Sequence, residues 1–337
     1  DPSKGSIQKL YAEDTNLIIF QERKISKALI DKDAIYTQEG QPVQTASNVV
    51  IGGIVAYAGE FGISQNPESF AVYGFRKYFT DKDKGSVMRL SQDGLSEISN
   101  FGMYDYFRDA FLTLGNGRAV GGWDIHNKCY TLSLQPTAPN TTPTTLSFDE
   151  NVKGWTSRFS YIPNHIFSLQ NNFYSTKNGS IWQHYSAGVN RANFYGIQYD
   201  STVKTIFNTN PSLVKSFQTI NYEGGGNWQM TSLTTNEDKM VNQLDANLPA
   251  ISVFSIPLTL ASMETAMLKN EFKRKEDKYF ANLINTSGFA QGEVVYGKSI
   301  SGVKGFFATV DMKATNTATS GTNELFSVSL DYNESSY

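Results

Sequence analysis

A hairpin-like segment that occurs twice sets the strongest limit on the fold of this chain. YFTDKDKGSVM (Tyr78–Met88) and FYSTKNGSIW (Phe173–Trp182) each contain an aromatic strand, a turn with a lysine, and a Gly-Ser pair followed by an aliphatic residue. The two copies lie about 95 residues apart. Short aromatic strands joined by polar turns are typical of antiparallel sheets. The sequence therefore predicts an all-β fold, or one that is mainly β.

A second, weaker pair has the same plan of an apolar strand, a polar turn and an alternating strand. Its members are NLIIFQERKISKALI (Asn16–Ile30) and GGWDIHNKCYTLSL (Gly121–Leu134). Hairpins that recur at about half of the 95-residue interval between the first two copies predict four-stranded blades of roughly 40–50 residues, as in a β-propeller. Unrelated hairpins with similar turn residues give the same match, so the blades are a hypothesis.

The chain divides into two predicted regions. Residues 1–190 are expected to form β-propeller-like blades, and residues 191–337 a β-rich C-terminal region with at most one or two short helices. Between two strands of the first region, QPTAPNTTPTT (Gln135–Thr145) is a linker or an exposed loop, because it is rich in proline and threonine. Because the chain begins with Asp1 and not with methionine, we expect a fragment or a processed product, with the β-propeller-like region incomplete and an N-terminal part of the protein missing.

Four segments define the predicted C-terminal region. SMETAMLKN (Ser262–Asn270) is the best helix candidate, since it contains neither glycine nor proline and opens on a possible serine cap. EFKRKEDKYFANLIN predicts a hairpin that turns at Glu276 and Asp277. VKGFFATVDMK and ELFSVSLDY predict two late strands, one on each side of a polar loop.

Composition limits the class of function. Charged residues make up 18% of the 337 residues and the formal net charge is −3, which disfavours tight binding to nucleic acid. One cysteine, Cys129, excludes an intramolecular disulfide. The longest apolar run, SNVVIGGIVAYAG, is shorter than the ~20 residues that span a bilayer. The sequence thus predicts no membrane-spanning segment and no signal peptide.

Few residues are of the types that perform chemistry. His126 and Cys129 form an H-x-x-C pair, but no further cysteine or nearby histidine completes the four ligands of a structural zinc site. We expect both to lie in or beside a hairpin turn, with Cys129 as a small, partly buried residue. His165 and His184 are the other histidines. The sequence predicts no catalytic, cofactor-binding or metal-binding residues, no cofactor, and no enzyme.

Three other motifs have plain structural interpretations. SQDGLS (Ser91–Ser96) is faintly like the Asp-box of sialidases, but its glycine follows the aspartate directly, so we interpret it as a β-turn. YEGGGNW (Tyr222–Trp228) lacks the Lys-Ser/Thr end of a phosphate-binding loop and is interpreted as a loop tip. The basic cluster KNEFKRKEDK also carries acidic residues and is interpreted as a solvated hairpin in preference to a DNA-binding strip.

An ordered series of segments resembles a known family. The series is FTDKDKGSVMRLSQDGLSEIS, VGGWDIHNKCYTLSL, TLSFDENVKGWTSRFSYIP, NNFYSTKNGSIWQH, NFYGIQYDSTVKTIFNTNPSLVKSFQTINYEG, EFKRKEDKYFANLIN and GVKGFFATVDM. Over roughly residues 70 to 337 it is similar to the C-terminal part of large tail structural proteins of crAss-like and related short-tailed bacteriophages. These are called muzzle, nozzle or stabilisation proteins.

The resemblance implies a virion structural protein of the tail, assembled in the bacterial host cytoplasm. It implies a ring-shaped homo-oligomer at the distal end of the tail, which surrounds the DNA channel and gates or guides genome ejection. The implied partners are other copies of the chain, neighbouring tail ring or adaptor proteins, and passing double-stranded DNA without tight or specific binding.

Two alternatives come from other classes of protein. Trp123, Trp155, Trp182 and Trp228 lie in or near predicted loops and strand ends, which also suits a carbohydrate- or receptor-binding β-propeller adhesin module. Aromatic residues fill blade cores as well, so these tryptophans do not decide the matter. A glycan-cleaving enzyme is the second alternative, since carboxylate pairs arise easily among 32 acidic residues.

Overall fold

The computed structural model describes residues 2–14, 16–36, 42–225, 228–236, 239–241, 272–283, 302–316 and 323–335. The chain forms two compact units, Asp1–Ser186 and Ala187–Tyr337. Antiparallel strands dominate both units, and the described residues contain one α-helix. The prediction of a mainly β protein with few helices is confirmed.

The first unit consists of four sheets in which successive strands are neighbours. Sheet 1 contains β1 (Ile7–Glu13), β2 (Asn16–Gln21), β3 (Ile25–Tyr36) and β4 (Pro42–Ala56). Sheet 2 contains β5 (Ala71–Tyr73), β6 (Arg76–Asp81), β7 (Ser86–Ser91) and β8 (Gly94–Glu97). Helix α1 (Tyr104–Leu114) follows. Sheet 3 contains β9 (Arg118–Asp124), β10 (Cys129–Gln135), β11 (Thr144–Asp149) and β12 (Gly154–Phe159). Sheet 4 contains β13 (His165–Leu169), β14 (Asn172–Lys177) and β15 (Ser180–Gln183).

The stronger sequence repeat corresponds to a structural repeat. Its two copies form the β6–β7 and β14–β15 hairpins, which are the second and third strands of sheets 2 and 4. Sheets 2, 3 and 4 begin at residues 71, 118 and 165, so sheets 3 and 4 each start 47 residues after the sheet before them. A four-stranded antiparallel meander is also the arrangement found in a propeller blade.

The weaker repeat is wrong as a repeat, although both members are hairpins. Residues 16–30 form the β2–β3 hairpin, the second and third strands of sheet 1. Residues 121–134 fall in β9 and β10, the first and second strands of sheet 3. The similarity reflects two apolar strands around a polar turn, which any hairpin of this composition shares.

The Pro/Thr-rich segment connects β10 to β11, which pair with each other in sheet 3. It is therefore the loop of one hairpin and not a linker. Its last two residues, Thr144 and Thr145, belong to β11 and are buried.

Sheet 2 is buried on both faces because sheets 1 and 3 pack against it. Phe79 and Met88 lie in one apolar cluster with Ile18 and Phe20 of sheet 1. On the opposite face, Tyr78 joins a second cluster formed with sheet 3 and helix α1. Strand β6 is consequently buried at five consecutive positions, in contrast to the alternation of a half-exposed strand.

Helix α1 was not predicted from the sequence. Phe107, Phe111 and Leu114 are spaced by four and three residues and are all buried. This is the periodicity of an amphipathic helix, and it is the pattern in the sequence from which the helix could have been predicted. The helix begins without a side-chain cap and is rich in aromatic residues, so its local sequence also suits a strand. The helix predicted at residues 262–270 lies outside the described residues.

The second unit is built mainly from two facing sheets. A two-stranded hairpin, β16 (Asn193–Phe194) and β17 (Ile197–Gln198), precedes them. The strands that follow are β18 (Ser201–Phe207), β19 (Lys215–Gly224), β20 (Trp228–Thr235), β21 (Lys239–Val241), β22 (Lys273–Lys275), β23 (Lys278–Asn282), β24 (Val303–Gly305), β25 (Ala308–Ala314) and β26 (Leu325–Glu334). One sheet has the order β18-β25-β20-β21. In the other, β19 pairs with β26 on one side and with β23 and β24 on the other, and β22 extends the sheet beyond β23.

The late strands follow the prediction only in part. The hairpin turning at Glu276 and Asp277 is confirmed, and both residues have positive φ, as a tight two-residue turn requires. ELFSVSLDY falls in β26. VKGFFATVDMK is not one strand, because β24 belongs to one sheet and β25 to the facing sheet. The chain changes sheets at Phe306 and Phe307.

A buried lysine stabilises this change of sheet. Lys215 is 1% exposed. Its ammonium donates hydrogen bonds to the carbonyl oxygens of Asn210 (2.9 Å), Leu213 (3.0 Å) and Phe306, the residue at the crossing. Its Nζ also lies 5.8 Å from the ring centre of Tyr332. The ammonium thus bonds to carbonyls that lie outside the strand ladders, in the turn before β19 and at the crossing.

We expect Lys215→Met to lower the free energy of unfolding of the second unit by about 2–3 kcal/mol, because carbonyls that bond to an ammonium lose their partner. Thermal unfolding together with hydrogen exchange at β19 and β24 measures this loss. Lys204→Met is the matched control. Its ammonium forms an exposed pair with Asp311 at 3.3 Å, so its loss should cost less than about 1 kcal/mol. Equal effects of the two substitutions would contradict the role of Lys215.

Candidate functional site

The H-x-x-C pair forms a hairpin turn, as predicted. His126 lies in the β9–β10 turn, and Cys129 is the first residue of β10 and is buried. Burial raises the pKa of the Cys129 thiol to about 12, so the thiolate that a nucleophile needs is disfavoured. His165 is exposed at the start of β13. Among the described residues, no three His, Cys, Asp or Glu side chains group as metal ligands.

Asp124 organises this turn and connects it to the end of the first unit. Its Oδ1 accepts the backbone N–H groups of His126 (2.9 Å) and Asn127 (3.1 Å). Its Oδ2 accepts the Tyr185 hydroxyl at 2.5 Å, and the Tyr185 ring stacks on His126 with centroids 4.1 Å apart. Burial, together with the charge of Asp124, raises the pKa of Tyr185. The tyrosine therefore stays a neutral donor, and the arrangement fixes the segment after β15 against sheet 3.

His184 is a half-buried histidine with a structural contact. Its Nε2 lies 2.7 Å from the Ser175 hydroxyl, and its ring packs against Tyr161 and Phe173. Burial lowers the pKa of His184 to about 4. The folded chain therefore holds a neutral imidazole at pH values where the unfolded chain is protonated.

This pKa predicts a pH dependence of stability. Between pH 6.5 and about 4 the unfolded state binds a proton at His184 that the folded state does not, so stability falls as the pH falls through this window. We expect the free energy of unfolding to fall by on the order of 2 kcal/mol between pH 7 and pH 4 because of His184. We expect His184→Gln to lack this fall. Denaturant unfolding at both values measures it. His165→Gln, at an exposed position, is the control, and an unchanged pH profile in His184→Gln would contradict the assignment.

Three of the four tryptophans fill cores. Trp123 lies between Tyr73 and Tyr78, with centroids 4.3 and 5.5 Å away, and Tyr78 stacks in turn on Tyr130 at 4.9 Å. This row of rings links sheets 2 and 3. Trp155 donates to the Ile98 carbonyl at 3.1 Å, and Trp228 to the Glu324 carbonyl at 3.0 Å.

Trp182, on β15, is 38% exposed. Exposure of a tryptophan, which the adhesin alternative needs, holds for this residue. For the other three, the alternative interpretation as core residues is correct.

Glu150 is the main polar contact between sheets 2 and 3, and it was not predicted from the sequence. It follows β11, and its Oε1 accepts the Tyr78 hydroxyl at 2.7 Å. Its Oε2 pairs with the Arg89 guanidinium at 2.9 Å, with only 11% of the Glu150 side chain exposed. A carboxylate beside a turn looks like any surface residue in a sequence. Only the packing of sheet 3 on sheet 2 identifies it.

Two further buried charges hold sheet 2 in place. Lys77 of β6 pairs with Glu13 of β1 and so connects sheets 1 and 2. Asp81 of β6 accepts the Gly62 N–H (2.9 Å) and the Ser64 hydroxyl (2.9 Å) from the segment that joins the two sheets. Burial raises the pKa of Asp81 above its usual range. Acidic and basic residues of β6, of neighbouring turns and of the connecting segment line a cleft of about 280 Å³ beside it.

The remaining motifs are structural. SQDGLS contains the β7–β8 turn, in which the Ser91 hydroxyl contacts Asp93 and Gly94 has a φ of +101°. This confirms the β-turn. In YEGGGNW, the described residues end β19 and begin β20. The basic cluster supplies β22, whose three residues are exposed, and Arg274 there pairs with Asp277 at 2.5 Å. Charged side chains of this kind protect an edge strand from unwanted pairing.

The described contacts share one structural effect. Aromatic stacks, buried ion pairs and hydrogen bonds hold each sheet against the next. They define a β-rich structural protein, in which charged residues serve packing between sheets. The family model described as Crassvirus muzzle protein matches residues 1–179, and that described as Crassvirus muzzle protein C-terminal domain matches residues 189–286. The chain belongs to the crassvirus muzzle protein family.

This match confirms the resemblance seen in the sequence and extends it to the first 70 residues. No curated protein matches the chain. The family is one of bacteriophage virion structural proteins, which take part in tail assembly with other phage proteins. A structural role of this kind agrees with the prediction that the chain is not an enzyme, which stays a prediction. In the described ranges, no helix is long and apolar enough to cross a membrane.

Proposed function

We propose that this chain forms part of a ring of identical subunits at the distal end of the phage tail, around the DNA channel, where it gates or guides genome ejection. The match to the muzzle family over both of its named parts carries this proposal. In this role residues 1–190 are a β-propeller-like module and residues 191–337 a β-rich module. The subunits are assembled into the tail in the bacterial host cytoplasm, against neighbouring tail ring or adaptor proteins.

The contacts between sheets support a conduit. A wall around a DNA channel has to resist deformation when the genome passes. The Glu150, Lys77 and Asp81 contacts are buried, and salt weakens buried charge pairs much less than exposed ones. Stacked aromatic rings add packing between sheets 2 and 3.

The charge of the chain suits a passage that does not retain DNA. With a formal net charge of −3, a ring of subunits neutralises few phosphates, so affinity for duplex DNA should be weak and lost at modest salt. Fluorescence anisotropy of a labelled duplex over a salt series measures this. Tight binding that persists at about 0.2 M salt would contradict a passive channel.

Electron microscopy tests the ring. We expect negatively stained particles of the purified protein, alone or mixed with neighbouring tail proteins, to be rings with a central opening that admits duplex DNA. Antibody labelling of purified virions should mark the distal end of the tail. Monomers under both conditions, with no label on virions, would contradict the proposal.

An adhesin module is the second candidate, and exposed Trp182 is the observation that favours it. A flat aromatic ring at a surface is a common platform for a sugar. A glycan array tests this candidate with Trp182→Ala as its negative control. Binding to a host surface glycan that Trp182→Ala abolishes would favour a receptor-binding role, and an array without binding would remove it.

A further inference from the structure

Sheet 4 has one strand fewer than the sheets that precede it. Sheets 1, 2 and 3 each contain four strands, whereas sheet 4 ends at β15. All four residues of β15 are exposed, including Ile181 at 68%. Within the part of the chain that the structure describes, no strand pairs with the outer side of β15. The position that β4, β8 and β12 occupy in their sheets therefore has no described strand in sheet 4.

The register identifies which backbone groups line this open edge. The N–H of His184 donates to the Phe173 carbonyl at 2.9 Å, in the same register that pairs Ser175 with Trp182. Hydrogen-bonded pairs alternate along an antiparallel ladder, so Trp182 directs its N–H and C=O toward β14. Ile181 and Gln183 direct theirs away from β14, toward the position of a fourth strand.

A second unfinished element lies at the other end of the first unit. The last residue of β3 that pairs with β2 is Leu29. Beyond it, residues 30–36 pair only with β4, within residues 42–51, among the described strands. We call this two-stranded part the β3–β4 ribbon. At ~3.3 Å per residue, its seven residues on β3 extend about 23 Å. An isolated two-stranded ribbon is marginally stable in water, so a third strand would stabilise it.

We propose that the β3–β4 ribbon of one copy of this chain pairs with the open edge of β15 in a second copy. Sheet 1 packs on sheet 2, sheet 2 on sheet 3 and sheet 3 on sheet 4, while strands of sheets 1 and 4 do not pair within one copy among the described residues. A contact between different surfaces of identical subunits is heterologous and closes into a ring when its rotation permits. The added strand completes sheet 4 and supports the ribbon. This inference rests on the proposed assembly of several copies.

A proline at position 181 tests the edge. The N–H of Ile181 does not bond to β14, so Ile181→Pro keeps the β14–β15 ladder but removes a donor and places a ring at the open edge. Ile181→Thr is the matched control, since it keeps the N–H and suits a strand. We expect the dissociation constant for self-association, measured by analytical ultracentrifugation, to rise at least tenfold in Ile181→Pro and to stay within about twofold in Ile181→Thr. Thermal unfolding of the monomer checks that both variants fold.

Cross-linking tests the partner without relying on the proline variant. One pool of protein carries Ile181→Cys, and a second pool carries a cysteine at one of positions 32, 33, 34 or 35. A bismaleimide that spans about 10 Å joins opposed and diagonal residues of neighbouring strands. We expect a product of twice the chain mass in the mixed pools at one or two of the four positions. Cys129 is present in every pool and is buried, and Leu112→Cys, at an exposed helix position, is the control.

The outcomes separate this contact from the assembly itself. Oligomers that persist in Ile181→Pro, with cross-linking no greater than in the Leu112→Cys control, would overturn the ribbon contact and leave the ring intact. Cross-linking of Ile181→Cys to a different tail protein, and not to the ribbon, would also overturn it. A chain that stays monomeric with and without neighbouring tail proteins would overturn both.

Discussion

Gly121→Ala is expected to destabilise the first unit by about 3 kcal/mol or more, although alanine normally stabilises a strand relative to glycine. A Cβ at Gly121 of β9 would lie 2.0 Å from the Ser69 carbonyl oxygen and 2.7 Å from the Tyr130 hydroxyl. These two atoms are themselves hydrogen-bonded at 2.7 Å. The new methyl group therefore meets backbone on one side and a buried tyrosine on the other. Neither gives way without moving sheet 3 relative to the segment before sheet 2.

Thermal unfolding measures this effect. For a unit of this size, each kcal/mol corresponds to roughly 2–4 °C, so a decrease of about 6–12 °C is expected. Gly53→Ala in β4 is the matched control, because a Cβ added there would have no atom within 4 Å. We expect this control to leave the melting temperature unchanged or slightly higher. If the two substitutions have the same effect, the close approach at Gly121 does not limit the packing of sheet 3.

Gly122, which follows Gly121, explains why β9 contains two glycines in succession. A Cβ at Gly122 would lie 2.4 Å from a methyl carbon of Ile166 in sheet 4. The two residues face opposite sides of the strand. Gly121 therefore allows the segment at Ser69, before sheet 2, to pack closely on β9. Gly122 allows sheet 4 to approach the other side of the strand. In the sequence, the Gly-Gly pair is part of an apolar strand, and nothing local indicates that both faces are covered.

Hairpins were predictable from the sequence because their determinants are local. Turn residues such as Asn178 and Asp277 adopt positive φ between short strands, as their residue types favour. Sheet membership was not predictable in the same way. Phe306 and Phe307 look like the middle of one strand, yet the chain changes sheets there, where Lys215, about 90 residues earlier in the sequence, binds the Phe306 carbonyl.

Burial of charge was the other feature that the sequence did not reveal. Lys77 and Asp81 alternate with Tyr78 and Thr80 along β6, which resembles a strand with one solvated face. Sheet 1 covers that face and supplies Glu13 as the partner of Lys77. The family relationship was recognisable because it depends on the order of many weak segments. The residues that hold the sheets together depend on contacts between segments distant in sequence.

Glu150→Gln is expected to lower the free energy of unfolding by about 3 kcal/mol, because it removes the charge that faces the half-buried Arg89. Arg89 offers an internal comparison, since it contacts two carboxylates. Its Nη1 meets Glu150 at 2.9 Å and its Nη2 meets Asp93 at 3.3 Å, but the Asp93 side chain is 64% exposed. Asp93→Asn makes the same chemical change on the same guanidinium and is expected to cost less than about 1 kcal/mol.

A double-mutant cycle assigns this loss to the contact between sheets 2 and 3. In an Arg89→Met background there is no guanidinium that could lose its charged partner. Glu150→Gln should therefore lower the free energy of unfolding by at least about 1.5 kcal/mol less than it does in the parent protein. Denaturant unfolding of the four variants gives this coupling energy. A coupling near zero would mean that Glu150 acts through Tyr78 alone, which Glu150→Gln in a Tyr78→Phe background then measures. Since salt weakens exposed pairs more than buried ones, the coupling to Glu150 should persist at about 1 M salt, as expected of a contact that holds two sheets of a virion structural protein together.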